Sequence, residues 1–179
     1  MDRINLTRLF RLYLNGLKTD GRIRLQDIFV QFFVPICCSA ISFVFLWKEI
    51  VKSEQLSTFV SNAIVAVSII SGLMCALAVL IFQLRAQIST EKSIEVRDAE
   101  YKLIDQLFND VLWDVVIGFV SAILLVILSG AISDPSYTAC FILALSILCI
   151  AHFLIVTAMC LKHLSIAHEV IAKAWSKRK

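Results

Sequence analysis

Four long stretches of this sequence carry almost no charged side chains, and no other feature limits the possible folds more strongly. Each stretch has about 20 residues or more, the length that an α-helix needs to cross ~30 Å of hydrocarbon. Pro35 is expected to bend the first stretch, because proline removes a backbone hydrogen bond. The sequence predicts an all-α membrane protein with four transmembrane helices, at residues 28–47, 59–84, 111–132 and 137–161.

The composition argues against a soluble domain, because 59% of the residues are hydrophobic, 17% are charged and the mean hydropathy is +0.85. The six cysteines lie in or beside the apolar stretches without a CxxC pair, and we expect them to be buried thiols. The sequence contains no serine-centred elbow, no glycine-rich phosphate loop and no HExxH motif. We therefore predict no metal site, no cofactor and no enzymatic activity.

The basic residues indicate which parts of the chain face the cytosol. Fifteen of the 17 lysines and arginines fall before residue 28, between residues 84 and 111, or after residue 161. The other two, Lys48 and Lys52, lie between the first and second predicted helices. Cytosolic loops of membrane proteins are enriched in basic residues, so both termini and the middle segment are predicted to be cytosolic.

Three charged segments are predicted around two transmembrane hairpins, which comprise residues 28–84 and 111–161. In residues 1–27, apolar side chains recur at helical spacing, which predicts an amphipathic helix. Residues 85–110 are predicted to form a charged helical connector with one packed seam. Residues 162–179 form a basic tail that continues the fourth helix into the cytosol.

Polar and small residues inside the predicted spans are candidates for a functional site. Asp114 is interpreted either as a residue at the inner mouth of an ion pathway, or as a helix-end carboxylate that reaches the interface or pairs with Arg85. Ser68 and Gly72 would let helices approach closely, either within one subunit or around the axis of a symmetric oligomer. Two amides could hydrogen-bond between helices or line a pore: Gln31 and Asn62.

The arginines of the N-terminal helix have two interpretations, and they concern Arg3, Arg8 and Arg11. The helix could lie in the membrane interface, with its leucines among acyl chains and its arginines at phosphates. Alternatively, the arginines could bind an anionic messenger or help the helix to plug an inner vestibule. A messenger would affect opening only if it bound the two states differently.

Two apolar segments flank the charged connector: SIISGLMCALAVLIFQLRAQIS (Ser68–Ser89) and LIDQLFNDVLWDVVIGFVSAILLVIL (Leu103–Leu128). Over roughly residues 60–130 this layout resembles the small membrane effectors of bacterial phage-defence systems, above all the channel effector of the Hailong system. The resemblance implies a homo-oligomeric ion channel of the bacterial inner membrane, with a tetramer as one arrangement. It also implies opening by a nucleotide or oligonucleotide signal from a partner nucleotidyltransferase, which depolarises the membrane and aborts infection.

The functional prediction is therefore an oligomeric, gated membrane effector in the lipid bilayer. One alternative is a non-conducting membrane anchor or regulatory subunit, whose residues 85–110 dock a cytosolic partner. A second is an intramembrane enzyme, which is disfavoured because Asp114 and His152 are the only acidic residue and histidine in the spans. A third is a holin-like lysis protein. The resemblance supplies no catalytic motif and no ligand site that can be placed on particular residues.

Overall fold

The computed structural model describes residues 7, 9–11, 13, 18–19, 22–23, 29–47, 53–90, 98–131 and 137–176. Within these residues the chain is helical apart from a small antiparallel β-ribbon, formed by β1 (Lys18–Thr19) and β2 (Arg22–Ile23). The long helices are α1 (Val34–Trp47), α2 (Ser53–Thr90), α3 (Asp98–Ala131) and α4 (Tyr137–Ser176). The predicted all-helical architecture is confirmed.

Helices α2, α3 and α4 contain 38, 34 and 40 residues. At ~1.5 Å per residue each is roughly 50–60 Å long, which exceeds the ~30 Å of a hydrocarbon core. Three segments within them are long and apolar enough to cross a membrane: Glu54–Ala86, Ile104–Ala131 and Thr138–Ser165. These segments correspond to the second, third and fourth predicted spans, so three of the four are supported by length and composition.

The first predicted span is built differently. It begins with a π-helix, Phe29–Phe33, which runs into the 14-residue α1, so that Phe29–Phe45 is a shorter apolar helix. Pro35 explains the change, because it has no amide hydrogen to donate to the carbonyl of Gln31 one turn earlier. The expected effect of this proline therefore takes the form of a π-helical start, where the hydrogen-bond register differs from that of an α-helix.

The helices pack in the order α2–α3–α4–α1, because the main helix contacts are α2 with α3, α3 with α4, and α4 with α1. We call the end of the bundle where α2 ends and α3 begins the connector end. A hydrogen bond ties α1 to α4: the Ser39 hydroxyl donates to the Ala144 carbonyl at 2.7 Å. Since α1 contacts mainly α4, the residues of α4 determine where α1 sits.

Helices α2 and α3 approach closely at Gly118, which is buried. A Cβ atom at Gly118 would overlap the Ser71 hydroxyl of α2 and lie 2.9 Å from the Phe153 ring of α4. Small residues are common at such crossings in membranes, because they allow backbones to come together. Of the glycines described here, Gly118 makes the closest contact with a neighbouring helix, and its partner is Ser71.

The outer surface of the bundle is strongly apolar. Leu73 is 65% exposed and Phe141 is 64% exposed, and many further large apolar side chains on all four helices are exposed as well. A soluble monomer rarely exposes so much contiguous apolar surface, whereas a bilayer covers it. The surface therefore agrees with a chain whose helices lie in lipid.

Candidate functional site

Polar side chains are buried between α3, α4 and the N-terminal residues at the connector end of the bundle. We call five of them the polar cluster: Tyr13, Asp110, Asp114, Thr157 and His163. Two carboxylates lie one helical turn apart on α3, and both are buried. Ionisable residues are rare inside membrane-spanning helices and usually face the protein interior or water, so this cluster is the first candidate for a functional site.

Asp114 is fully buried and accepts hydrogen bonds from α4. The Thr157 hydroxyl lies 2.9 Å from one carboxylate oxygen and 3.2 Å from the other. It also lies 3.0 Å from the Phe153 carbonyl, so its single hydrogen is shared among three acceptors. Asp114 therefore faces the inside of the bundle rather than the solvent.

The suggested pairing of Asp114 with Arg85 is wrong. Arg85 instead pairs with Asp105, at 3.0 Å between Nε and Oδ1. Asp105 lies about two and a half helical turns nearer the start of α3 than Asp114. The half-exposed Arg85, near the end of α2, pairs with it there. This pair joins the two helices of the predicted connector, whose residues 91–97 lie outside the described part of the chain.

Asp110 interacts with His163 of α4. The distance between Asp110 Oδ2 and His163 Nδ1 is 3.1 Å, and the aspartate side chain is 8% exposed while the imidazole is 23% exposed. The histidine thus lies at the margin of the polar cluster and Asp110 lies inside it. Among the described residues, no three histidine, cysteine, aspartate or glutamate side chains are grouped so that they could hold a metal ion.

Tyr13 connects the N-terminal helical residues to the bundle. It is 2% exposed, and its hydroxyl has no hydrogen-bond partner among the described residues. Burial raises the pKa of the Tyr13 hydroxyl far above its usual range, and the nearby charge of Asp110 adds to the shift. The phenol therefore stays protonated, and its hydroxyl is an unused donor within the polar cluster.

Trp113 receives the aromatic side chains of the N-terminal helix. The Phe10 and Tyr13 ring centroids lie 5.1 and 5.6 Å from that of Trp113, and the Tyr13 ring is stacked on it. This face of the N-terminal helix therefore packs on protein instead of lying among acyl chains. Arg11 is exposed, whereas the other two candidate arginines, Arg3 and Arg8, lie outside the described residues.

The indole of Trp113 is also the start of a hydrogen-bond chain to α1. Its Nε1–H donates to Nε2 of His152 at 3.4 Å, and Nδ1 of His152 lies 3.2 Å from the Gln31 carbonyl. An indole nitrogen can only donate, so Nε2 accepts and the ring proton of a neutral imidazole sits on Nδ1. His152 therefore donates to the carbonyl that Pro35 leaves without its usual amide partner.

Gln31 was a candidate either to hydrogen-bond between helices or to line a pore, and the interhelical bond observed for it is made by its main-chain carbonyl. The side-chain amide is fully buried, and neither Oε1 nor Nε2 has a hydrogen-bond partner among the described residues. Buried amides without partners destabilise a fold. The neighbouring Phe32 ring packs against the imidazole of His152, with 5.6 Å between the two ring centroids.

The second group of candidate residues lies on the outside of α2. Asn62, Ser68 and Gly72 are all exposed, and a Cβ atom at Gly72 would meet nothing within 4 Å. Packing within one subunit, one of the two interpretations of this face, is therefore not observed for Ser68 and Gly72. The candidates thus fall into two separate places, with Asp114 in the interior and these three on the surface.

Sequence reasoning missed the roles of Tyr13, Trp113 and His152. Neither Tyr13 nor Trp113 stands out in the sequence from the apolar residues around it. The available signal was that His152 is the one histidine inside a predicted span and that Pro35 frees a carbonyl in another. The pairing of these two features depends on the packing of α1 against α4, which the sequence alone does not specify.

Searches with this chain against family models, curated proteins and solved structures found no match.

Proposed function

We propose that the protein is a four-span membrane protein in which both termini and the connector are cytosolic. The apolar surface of α2, α3 and α4 supports three crossings, and the π-helix with α1 supplies apolar residues for a fourth. The lysine and arginine distribution supports the orientation. We place the protein in the bacterial inner membrane because of its resemblance to phage-defence effectors.

We further propose that several copies form a gated ion channel around an axis lined by α2. The main support is the exposed surface of α2, where Asn62 and Ser68 place polar groups outside the bundle and Gly72 leaves open space. Lipid would leave these polar groups without hydrogen-bond partners, whereas neighbouring subunits or pore water would supply them. A homo-oligomer with a symmetric axis, for example a tetramer, satisfies this requirement.

In this proposal a cytosolic nucleotide or oligonucleotide, made by a partner nucleotidyltransferase, opens the channel. Support comes from the resemblance and from the basic N-terminal helix, in which Arg11 is exposed while Phe10 and Tyr13 face the bundle. Arg3, Arg8 and Arg11 would contact the anionic signal or hold the closed state. Opening would depolarise the inner membrane and stop phage production with the death of the infected cell.

The channel is tested by measuring membrane potential with a voltage-sensitive dye in cells that express the protein, with and without the product of the adjacent gene. We expect depolarisation only when the trigger is present. The informative variant is Gly72→Leu, which adds a large side chain where the single subunit has open space. We expect it to abolish depolarisation by filling the axis.

The matched control is Gly130→Leu on α3, since a Cβ atom at Gly130 also meets nothing within 4 Å. This variant should depolarise cells as the wild type does. An equal loss in both variants would count against an axis lined by α2. Absence of depolarisation under every condition, together with capture of a cytosolic protein by the connector, would favour the membrane-anchor alternative.

A further inference from the structure

Trp113 contacts the N-terminal helix on one side and His152 of α4 on the other. On one side, Phe10 and Tyr13 pack on its ring. On the other side, its indole nitrogen donates to His152. Trp113 thus belongs to the N-terminal interface and to the hydrogen-bond chain that ends at α1.

The hydrogen-bond chain from Trp113 ends at the π-helical turn that leads into α1. The π-helix Phe29–Phe33 precedes Pro35, so the regular i to i−4 hydrogen bonding of an α-helix is interrupted there. The side chain of Gln31 is buried without a partner, and therefore it adds no hydrogen bond that would hold this turn. The Gln31 carbonyl accepts an interhelical hydrogen bond from Nδ1 of His152 at 3.2 Å.

His152 can join the two sides only in one orientation and one protonation state. Nε2 must be free of a proton to accept from Trp113, and Nδ1 must carry the proton to donate to Gln31. A movement of Trp113 therefore changes the acceptor half of the ring and, since the ring is rigid, also the position of the donor half. The Phe32 ring also packs against the imidazole, with 5.6 Å between the ring centroids.

We propose that Trp113 and His152 couple the docking of the N-terminal helix to the order of the π-helical turn at the start of α1. When Phe10 and Tyr13 are docked on Trp113, His152 holds the Gln31 carbonyl. When they leave, the turn loosens and α1 can move against α4. This inference rests on the proposed function for its purpose, since it names the step between a cytosolic signal at the N-terminal helix and movement of a membrane-spanning helix.

Coupling of this kind is an energetic interaction between the two ends, and it can be measured. The measurement is amide hydrogen exchange of the full-length protein in lipid nanodiscs, followed at residues 29–36. Phe10→Ala removes the ring contact, and we expect exchange at these residues to rise roughly tenfold. Exchange at residues 121–128, deep in α3, should stay unchanged and reports that the bundle remains folded.

Phe10→Ala is then combined with each of two substitutions that remove the hydrogen bond between Trp113 and His152. In His152→Asn, the amide nitrogen takes the place of Nδ1 and still donates to the Gln31 carbonyl, but no acceptor reaches Trp113. Trp113→Phe keeps the ring for Phe10 and Tyr13 and loses the indole N–H. In either background, Phe10→Ala should change exchange at residues 29–36 by less than about twofold.

Thr7→Ala is the matched control, because Thr7 lies on the same helix as Phe10 and is exposed. It should leave exchange at residues 29–36 unchanged. The proposal is overturned if Phe10→Ala has no effect in the wild type, or if its effect is the same in His152→Asn. If Phe10→Ala also raises exchange at residues 121–128, the smaller change Phe10→Leu replaces it, and an equal rise in both segments with both variants again overturns the proposal.

These outcomes are independent of ion conduction. Coupled exchange without depolarisation in cells would contradict the channel and leave the coupling intact. Depolarisation together with independent effects of Phe10→Ala and His152→Asn would support the channel and contradict the coupling.

Discussion

Asp114 shows how a single residue of this protein is accommodated in an apolar bundle. Its carboxylate is fully buried, and the side-chain donor found for it is the Thr157 hydroxyl. A buried carboxylate in apolar surroundings depends strongly on such a donor, because a buried polar group that loses its partner is costly. The stability of the bundle therefore depends on the individual hydrogen-bond partners of a few buried polar groups.

Replacing Thr157 with valine keeps the shape of the side chain and removes the donor. We expect a loss of about 1–2 kcal/mol in stability, seen as a lower midpoint of thermal unfolding in detergent. The control is Thr58→Val, since the Thr58 hydroxyl donates to the Glu54 carbonyl of its own exposed helical turn. If the two variants melt at the same temperature, Thr157 does not stabilise Asp114.

Gly118 offers a second test at the residue scale. Gly118→Ala would place a methyl group against the Ser71 hydroxyl and the Phe153 ring, and should destabilise the bundle by about 1–3 kcal/mol. Gly72→Ala and Gly130→Ala, which meet open space, should be neutral or slightly stabilising. Unfolding by a denaturing detergent distinguishes them, and equal midpoints for all three would contradict the close approach of α2 and α3.

At the scale of elements, hydrophobicity predicted the long helices well and their contacts poorly. The stretches around α2, α3 and α4 are long enough to leave no other structure in lipid, so composition alone located them. The face by which α2 packs was not predictable, because small residues occur both at Ser68 and Gly72 and at Ser71. Spacing by four residues is the same for competing faces, and only the shape of α3 at Gly118 selects between them.

Helix α1 was predicted in place but not in detail. Its π-helical start follows from Pro35, yet the partner for the freed carbonyl is His152, 121 residues away in the chain. The β-ribbon was also missed, because a region of basic residues before an apolar span is usually taken as helix or loop. Long-range partners of this kind are set by packing, which one sequence without packing information leaves open.

The attachment of α1 to α4 gives a test at this scale. Ser39→Ala removes the hydroxyl that donates to the Ala144 carbonyl, and we expect a loss of about 0.5–1 kcal/mol together with faster amide exchange in α1. Ser42→Ala serves as the control, because that hydroxyl bonds the Cys38 carbonyl within the same helix. Faster exchange in α1 for both variants would show that helix propensity, and not attachment to α4, is responsible.

The polar groups of the whole molecule lie in two places. One set is inside the bundle near the connector end, where the N-terminal helix docks on Trp113. The other set is outside, on α2, where Asn62 and Ser68 are exposed. The proposed channel requires such a separation, and in that proposal the helices between the two places transmit the movement.

The orientation of the chain in the membrane is the claim on which the proposed cytosolic signal and its access to the N-terminal helix depend. It is tested most directly by cysteine labelling with a membrane-impermeant maleimide, in spheroplasts and in inside-out vesicles. Ser93→Cys marks the connector, and Ser136→Cys marks the segment between the third and fourth spans. Labelling of the unsubstituted protein, which has six cysteines of its own, is measured in parallel and subtracted. We expect Ser93→Cys to be labelled only in inside-out vesicles and Ser136→Cys only in spheroplasts; labelling of Ser93→Cys from outside the cell would contradict the orientation.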